Sequence, residues 1–193
     1  MRRVKRGDRQ AFTALVEKYQ QPILNLTYRM IGDLAEAEDL AQSAFLQLHR
    51  SAHRYREDAR FSTWLFTIAR NLCLNELRRR SRHPAESLDL PHPTDESQPL
   101  RSVEDPRSVS PPDALLRHEL EQKVQEALDA LPPNQRLALL LCRQEDLSYE
   151  DIGRVLRCSL SATKSLIHRA RETVKQRLKA YLQSGAWDEE GNA

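Results

Sequence analysis

The chain has 193 residues, of which 39% are hydrophobic and 30% are charged, a composition typical of a folded protein with a modest core. Five glycines in a chain dominated by Leu, Ala, Arg and Glu favour an all-α fold, and the length allows one domain or two small ones. No apolar run approaches the roughly 18 residues of a membrane span, and no signal-peptide core follows the basic N-terminus. The sequence therefore predicts a cytoplasmic protein without membrane insertion.

The cysteines and histidines do not form a pattern that indicates a metal site. Cys73, Cys142 and Cys158 are scattered, and the six histidines show no ligand spacing with them, so buried free thiols are expected. The sequence also lacks a Gly-rich phosphate loop and a nucleophile–base pair at a defensible spacing. These observations predict a protein that is not an enzyme, with no catalytic residue, no metal and no cofactor.

The charges are unevenly distributed along the chain. Residues 1–80 carry 15 Lys and Arg against 9 Asp and Glu, whereas residues 81–113 carry 3 against 7. Residues 114–193 are balanced at 12 against 12, but within them residues 154–179 hold 8 basic residues and one acidic residue. Two basic elements separated by an acidic connector are typical of a nucleic-acid-binding protein.

The first long helix is predicted over residues 8–30. Pro22 is expected to kink this helix or to divide it in two, and Gly32 is expected to end it. The predicted inward-facing residues are Phe12, Leu15, Val16, Tyr19, Ile23 and Leu26.

A second helix is predicted over residues 34–53. Asp33 followed by Glu36 resembles a capping box at its start. Its apolar positions face inward and leave a mostly polar outer face, which on its own is also consistent with a solvated helix surface. The outer residues are Glu38, Asp39, Gln42, Leu46 and Arg50.

A short charged loop then leads into a helix over residues 61–80, FSTWLFTIARNLCLNELRRR. The loop is basic, and its cationic residues are Arg54, Arg56 and Arg60. One stripe of the helix is apolar and should be buried: Phe61, Leu65, Ile68, Ala69, Leu72 and Cys73. A second stripe carries an aromatic ring, two amides and a guanidinium: Trp64, Thr67, Asn71, Asn75 and Arg78. These groups can stack on unpaired bases, bond to base edges and contact phosphate, although a core helix with a buried Trp is the simpler alternative.

The composition changes after residue 80. Residues 81–113 hold seven of the ten prolines and no glycine, so they are expected to form an extended acidic linker that could reach on the order of 90 Å. The predicted organisation is a first helical domain over 1–81, a linker over 82–112 and a second helical domain over 113–183. A disordered tail is expected over 184–193.

The second domain is predicted to contain a helix-turn-helix unit. Helices are expected at 113–130 and 134–145, then a short helix from Ser148 to Leu156, a turn at 157–159 and a long helix over 160–182. The buried stripe of the last helix is predicted as Leu160, Thr163, Ile167, Ala170, Val174, Leu178 and Tyr181. Its other side is basic, and its candidate DNA-reading residues are Ser161, Lys164, Ser165, His168, Arg169 and Arg171.

Together these segments resemble the extracytoplasmic-function class of bacterial sigma factors over most of the chain. The segments RGDRQAFTALVEKY, AEAEDLAQSAFLQLHR and FSTWLFTIARNLCLNELRRR resemble region 2 of that family, and LPPNQRLALLLCRQEDLSYEDIGRVL with SATKSLIHRAR resembles region 4. The resemblance implies two small helical domains, a region 2 bundle and a region 4 helix-turn-helix, joined by the Pro-rich linker.

The resemblance also implies a division of labour between the two domains. Region 2 would open the −10 element and hold it as a single strand, through the Trp64, Asn71 and Asn75 positions and a flipped base cradled by the loop 54–60. Region 4 would read the −35 duplex through positions that include Lys164 and His168. The family's polymerase-docking face falls on Asp39, Gln42 and Leu46.

The partners that the resemblance implies are core RNA polymerase, promoter DNA and an anti-sigma factor. Four positions depart from the family pattern: Leu166 replaces a basic residue, Ser43 an acidic residue, Leu48 a tryptophan and Arg157 a glycine in the turn. Arg157 must therefore adopt a positive φ unless the turn differs. An autonomous helix-turn-helix regulator remains the alternative, but it gives no reason for the Trp64 stripe.

Overall fold

The computed structural model describes residues 1–55, 60–82 and 111–183, except for the side chains at 111–116, 180, 182 and 183. Within those ranges the chain is helical and contains no strand, which confirms the all-α prediction. The helices are α1 (Arg2–Lys5), α2 (Arg9–Ile31), α3 (Leu34–Ser51), α4 (Phe61–Arg82), α5 (Pro111–Asp129), α6 (Pro133–Leu141), α7 (Tyr149–Leu156) and α8 (Leu160–Gln183). A 3₁₀ turn, Ala52–Arg54, follows α3. Residues 83–110 of the predicted linker and the whole of the predicted tail lie outside the described residues, and the domain boundaries stay a prediction.

Helix α2 begins and ends at residues suited to those positions. The Asp8 carboxylate accepts a hydrogen bond from the Ala11 N–H at 3.0 Å, and Gly32 ends the helix in the left-handed region at φ 81°. The helix passes through Pro22 without dividing. Pro22 is only half-buried and Lys18, whose carbonyl loses its helical donor, is exposed. Water can satisfy that carbonyl, so the helix does not have to divide.

The start of α3 shows half of the predicted capping box. The Asp33 carboxylate accepts a hydrogen bond from the Glu36 N–H at 2.8 Å. The Glu36 carboxylate pairs instead with Arg80 at the end of α4, and Arg80 Nη1 also donates to the Ile31 carbonyl at 2.9 Å. Glu36 therefore joins α3 to α4, and Arg80 covers the carbonyl end of α2.

The helices form two bundles, an N-terminal bundle of α1–α4 and a C-terminal bundle of α5–α8. Residues from both belong to one continuous apolar core, because α4 packs against α7 and α2 packs against α5 and α6. Fully buried members on the two sides include Leu65 and Phe66 in α4, and Ile152 and Val155 in α7. Direct packing of the two bundles was not part of the sequence-based prediction.

All three cysteines are free thiols, as expected. Cys73 is buried in the core, and its burial raises the pKa of the thiol to about 12, so it is not a reactive group. Cys142 and Cys158 are half-buried. Over the described ranges, no cluster of three metal-ligating side chains is found, and no helix there is long and apolar enough to cross a bilayer.

The turn between α7 and α8 depends on an unusual backbone conformation at Arg157. The capping box at Ser148 is complete, since its hydroxyl accepts from the Asp151 N–H and the Asp151 carboxylate accepts from the Ser148 N–H. Helix α7 then ends at Arg157, which lies in the left-handed region at φ 58° and ψ 45°. A Cβ at Gly153 would lie 3.0 Å from the Cys158 carbonyl oxygen, so this close turn favours a glycine at 153. The left-handed conformation of Arg157 is a separate cost, since a residue with a Cβ is strained there.

Replacing Arg157 with glycine should stabilise the protein. A residue with a side chain is strained by about 1–2 kcal/mol in the left-handed region of the folded state, and Arg157→Gly removes that strain. The larger conformational entropy of glycine in the unfolded chain opposes this gain by about 0.5–1 kcal/mol. The free energy of unfolding should therefore rise by about 0.5–1 kcal/mol. Urea denaturation followed by circular dichroism measures this change. Arg154→Gly, inside the same helix, is the matched control and should lower stability by about 1 kcal/mol. Equal losses in both variants would contradict this account of the turn.

Candidate nucleic-acid interface

Helix α4 presents the two predicted stripes on different sides. Leu65, Ile68, Ala69 and Cys73 are buried, while Phe61 and Leu72 are half-buried against the same core. The second stripe is open to solvent: Asn75 and Arg78 are exposed, and Trp64, Thr67 and Asn71 are half-buried. The predicted arrangement of the helix is therefore confirmed, and the stripe Trp64, Thr67, Asn71, Asn75 and Arg78 is called the α4 outer stripe below.

Trp64 is held by neighbouring aromatic rings and is not enclosed in the core. Its ring centroid lies 5.2 Å from that of Tyr55 and 6.5 Å from that of Phe61. Tyr55 in turn is fixed through its carbonyl, which accepts from Lys5 Nζ at 3.1 Å. A tryptophan that is rigidly supported and partly exposed is a suitable platform for base stacking. Tyr55 was not among the predicted site residues, although its position as an aromatic residue inside the basic loop 54–60 could have indicated a role in base stacking.

The two amides of the α4 outer stripe are oriented by neighbouring arginines. Arg70 Nη1 donates to Asn71 Oδ1 at 3.1 Å, and Arg78 Nη1 donates to Asn75 Oδ1 at 3.2 Å. The amide oxygens of Asn71 and Asn75 therefore already accept hydrogen bonds, and their NH₂ groups remain as donors. Among the described residues, no acceptor is found for these NH₂ groups. Donor groups of this kind can bond to the acceptor atoms of base edges.

The predicted cations of the loop differ in their surroundings. Arg54 is exposed, with its Nε 3.3 Å from His53 Nε2. Arg60 is directed toward the C-terminal bundle, where its Nη1 donates to the Asp146 carbonyl at 3.4 Å and lies 3.7 Å from Asp151 Oδ2. Arg56 lies outside the described residues. Arg54 is thus open to solvent, whereas Arg60 joins the two bundles.

The second predicted nucleic-acid surface lies on α8. Thr163, Ile167 and Ala170 are buried against the rest of the C-terminal bundle. The prediction that Leu160 is buried is wrong: 37% of it is exposed, because it is the first residue of α8 and precedes the part of the helix that packs on α7. All six predicted reading residues are exposed on this helix: Ser161, Lys164, Ser165, His168, Arg169 and Arg171.

Arg171 differs from the other five reading residues. Its Nη2 donates to Cys142 Sγ at 3.3 Å, so its guanidinium is directed toward the end of α6. Leu166, the departure noted in the sequence, is half-buried and packs against the core. Its apolar side chain therefore has a structural use, since it contributes to the packing of α8.

A third surface lies on α3. Asp39, Gln42 and Leu46 are all exposed, and Leu46 is 51% exposed, an unusual degree for a large apolar side chain. Gln42 and Leu46 also line a groove of about 740 Å³ between α1, α2 and α3. Its apolar walls are formed by Val4, Phe12, Val16, Leu24, Ala41 and Phe45. Sequence analysis identified the exposed leucine but not the groove, because periodicity assigned Phe12 and Val16 simply to the inner side of the helix.

Comparison with known proteins assigns both bundles to described families. The model for Sigma-70 region 2 matches residues 15–83, and the model for Sigma-70, region 4 matches residues 121–178. The RNA polymerase sigma-H factor of Pseudomonas aeruginosa is 41% identical over 184 residues, which cover 93% of this chain and 92% of that relative. The ECF RNA polymerase sigma factor SigW of Bacillus subtilis is 34% identical over 179 residues, covering 93% and 95%.

Two solved structures share the fold over most of the chain. CnrH in complex with the cytosolic domain of CnrY has a TM-score of 0.65 at 21% identity and covers 92% of this chain and 94% of that one. The sigma factor RpoE in complex with the anti-sigma factor NepR from Bartonella quintana has a TM-score of 0.67 at 23% identity, covering 88% and 98%. With region 2 and region 4 both present, and with relatives above 30% identity over nearly the whole chain, the protein belongs to the extracytoplasmic-function group of the sigma-70 family of RNA polymerase sigma factors.

Proposed function

We propose that this chain is an initiation factor that binds core RNA polymerase, recognises the −35 and −10 elements of a promoter and helps to melt the DNA. One observation carries this proposal: the same chain presents the aromatic and amide stripe on α4 and a basic recognition helix at α8. The first surface has the chemistry of a single-strand site, and the second has that of a major-groove reader. An autonomous duplex-binding regulator needs only the second.

At the −10 element, the α4 outer stripe would hold bases that have left the helical stack. Flipping a base costs a few kcal/mol of stacking, which new contacts must offset. Trp64 supplies a stacking surface, Asn71 and Asn75 supply directed donors, and Arg54 and Arg78 supply charge for phosphates. Arg56 and Arg60 belong to the same proposed site, although Arg60 lies against Asp151 in the structure.

At the −35 element, the first half of α8 would enter the major groove. Lys164 and Arg169 are suited to guanine edges or phosphates, and Ser161, Ser165 and His168 can bond to either bases or backbone. Arg171 lies at the border of this surface, where it would contact a phosphate after leaving Cys142. Because the neighbouring residues are exposed, the duplex can approach this side of the helix without unfolding it.

For polymerase binding, we propose the α3 face that carries Asp39, Gln42 and Leu46. An exposed leucine beside a carboxylate and an amide has the mixed character of a protein interface, with an apolar centre and polar surroundings. Two of the similar solved structures are complexes in which a sigma factor or its homologue is bound to another protein, in one case a named anti-sigma factor. We propose an anti-sigma partner here as well, which would compete with polymerase for the α3 face.

The proposed activity requires no catalysis by the chain itself. Its role is to supply promoter specificity and strand separation, while polymerase performs the chemistry. We place this activity in the cytoplasm, where the polymerase of a bacterium meets its DNA.

Replacing Trp64 tests the proposed melting role. Run-off transcription with core polymerase on genomic fragments should give transcripts from discrete start sites only when this chain is added. Trp64→Ala should lower their yield about tenfold, because a stacking contact of about 1–3 kcal/mol is lost, while Trp64→Phe should keep most of the activity. Full transcription by Trp64→Ala, or duplex binding by the wild type with no transcripts at all, would contradict the proposal.

Replacing Lys164 tests the α8 surface. In holoenzyme bound to a promoter duplex, Lys164→Ala should weaken the affinity for the duplex about five- to tenfold. A contact between Lys164 and a phosphate also predicts that the slope of log affinity against log salt concentration falls in magnitude by about one. Lys179→Ala is the matched control, since Lys179 is exposed on the same helix about 22 Å further along. Fluorescence anisotropy over a salt series measures both quantities. Equal effects of the two substitutions would refute a specific role for Lys164.

A further inference from the structure

Helix α1 is too short to be stable by itself, so its contacts must hold it in place. It has four residues, whereas isolated helices shorter than about 12 residues are marginal in water. Val4 is its buried residue, and the other three are exposed cations. Val4 does not belong to the main core, which is formed on this side of the molecule by α2, α3 and α4. The contacts of α1 with its neighbours therefore decide what it does.

One set of contacts fixes α1 against the start of α2. Arg3 Nε donates to the Asp8 carboxylate at 2.8 Å, and the Asp8 N–H donates to the Arg3 carbonyl at 3.1 Å. Between them, Gly7 turns the chain at a φ of 85° and donates its N–H to the Val4 carbonyl at 2.9 Å. Because Asp8 also caps α2, the direction of α1 relative to α2 is fixed.

A second set of contacts joins α1 to the 3₁₀ turn that follows α3. Helix α1 lies against this turn, and Val4 and Ala52 are both 7% exposed. Tyr55, the residue after the turn, donates its N–H to the Ala52 carbonyl at 3.2 Å. The carbonyl of Tyr55 accepts a hydrogen bond from Lys5 Nζ at 3.1 Å. The backbone of Tyr55 is therefore held on both sides, and one of the two hydrogen bonds comes from α1.

Tyr55 belongs to an aromatic cluster that supports Trp64. Its ring centroid lies 5.2 Å from that of Trp64 and 6.4 Å from that of Phe61, and the Phe61 centroid lies 5.3 Å from that of Tyr19 in α2. Phe61 and Trp64 belong to α4, which fixes their backbone, whereas Tyr55 lies outside the helices. The position of the Tyr55 ring against Trp64 therefore depends on the hydrogen bonds that hold its backbone.

We propose that Lys5 is a positioning residue for the single-strand site, because its hydrogen bond to the Tyr55 carbonyl holds the Tyr55 ring against Trp64. The inference rests on the proposed function for its consequence, since Trp64 is the proposed stacking surface for unpaired bases. A base loses less entropy on binding when the ring that receives it is already fixed. Lys5 acts through Tyr55 and needs no contact of its own with DNA.

The fluorescence of Trp64 tests this contact in the full-length chain without polymerase. Trp187, the other tryptophan, is first replaced by phenylalanine, so that Trp64 is the one remaining indole emitter. Lys5→Met removes the donor and should raise the acrylamide quenching constant of Trp64 about twofold, because the Tyr55 ring covers the indole for less of the time. Lys5→Arg keeps a donor for the carbonyl and should return the quenching constant to the parent value.

Arg6→Met is the matched control, since it removes an equal charge at the exposed neighbouring residue and should leave the quenching constant unchanged. Acrylamide is neutral, so its concentration near the indole does not depend on these charges. Tyr55→Ala should raise quenching by itself, and Lys5→Met should then add little, because the two residues act in series. Equal quenching in Lys5→Met and Arg6→Met would overturn the proposal, as would a full additional effect of Lys5→Met in the Tyr55→Ala background.

Run-off transcription with core polymerase provides the second measurement. Lys5→Met should lower the transcript yield about threefold relative to Arg6→Met, and Lys5→Arg should restore it. Both methionine substitutions remove one positive charge, so a loss of general attraction to DNA affects them equally. Their affinities for core polymerase should be the same. Changed quenching with unchanged transcription would refute the positioning role. Changed quenching with no transcripts from the wild type would uphold the contact of Lys5 and refute the initiation-factor function instead.

Discussion

The structure depends on helix α4, which has to satisfy three different surroundings with one 22-residue sequence. At 100° per residue, three faces of this helix are about 120° apart, so each occupies one third of its surface. They are the core stripe, the outer stripe and the face of Ser62, Thr63 and Phe66 that packs against the C-terminal bundle. Leu65 and Ala69 anchor it in its own bundle, Trp64 and Asn71 face solvent, and Thr63 bonds to Asp151. A change in the rotation of this helix would disturb the core, the proposed DNA site and the contact between the bundles together.

This arrangement links recognition to conformation. The proposed single-strand site and the helix-turn-helix unit are held by the same helix, and Arg60 lies where it can serve either one. The bundles share an apolar core, and the exposed polar contacts around it, such as that of Lys18 with Asp146, are individually weak in water.

The sequence predicted the parts of the structure that depend on local patterns. The helix starts at Asp33 and Ser148 follow from capping chemistry, and the first long helix and the two stripes of α4 follow from the spacing of apolar residues. The packing of α4 against the C-terminal bundle could not be predicted, because Ser62 and Thr63 are polar and their burial depends on residues more than 80 positions away, such as Asp151. Periodicity identifies a buried apolar face, but it does not identify a polar face that is buried through distant hydrogen bonds.

The central claim is that the chain works on core RNA polymerase through the α3 face, and binding to purified core tests it most directly. Wild-type protein is compared with the double variant Asp39→Arg and Leu46→Ala, whose positions are exposed and whose folding is checked by circular dichroism. The account predicts tight binding by the wild type and a loss of affinity of at least about a hundredfold in the variant. The reason is that Asp39→Arg introduces a repulsive charge and Leu46→Ala removes an apolar anchor at the same interface. No binding of the wild type to core, together with tight binding to duplex DNA alone, would contradict it.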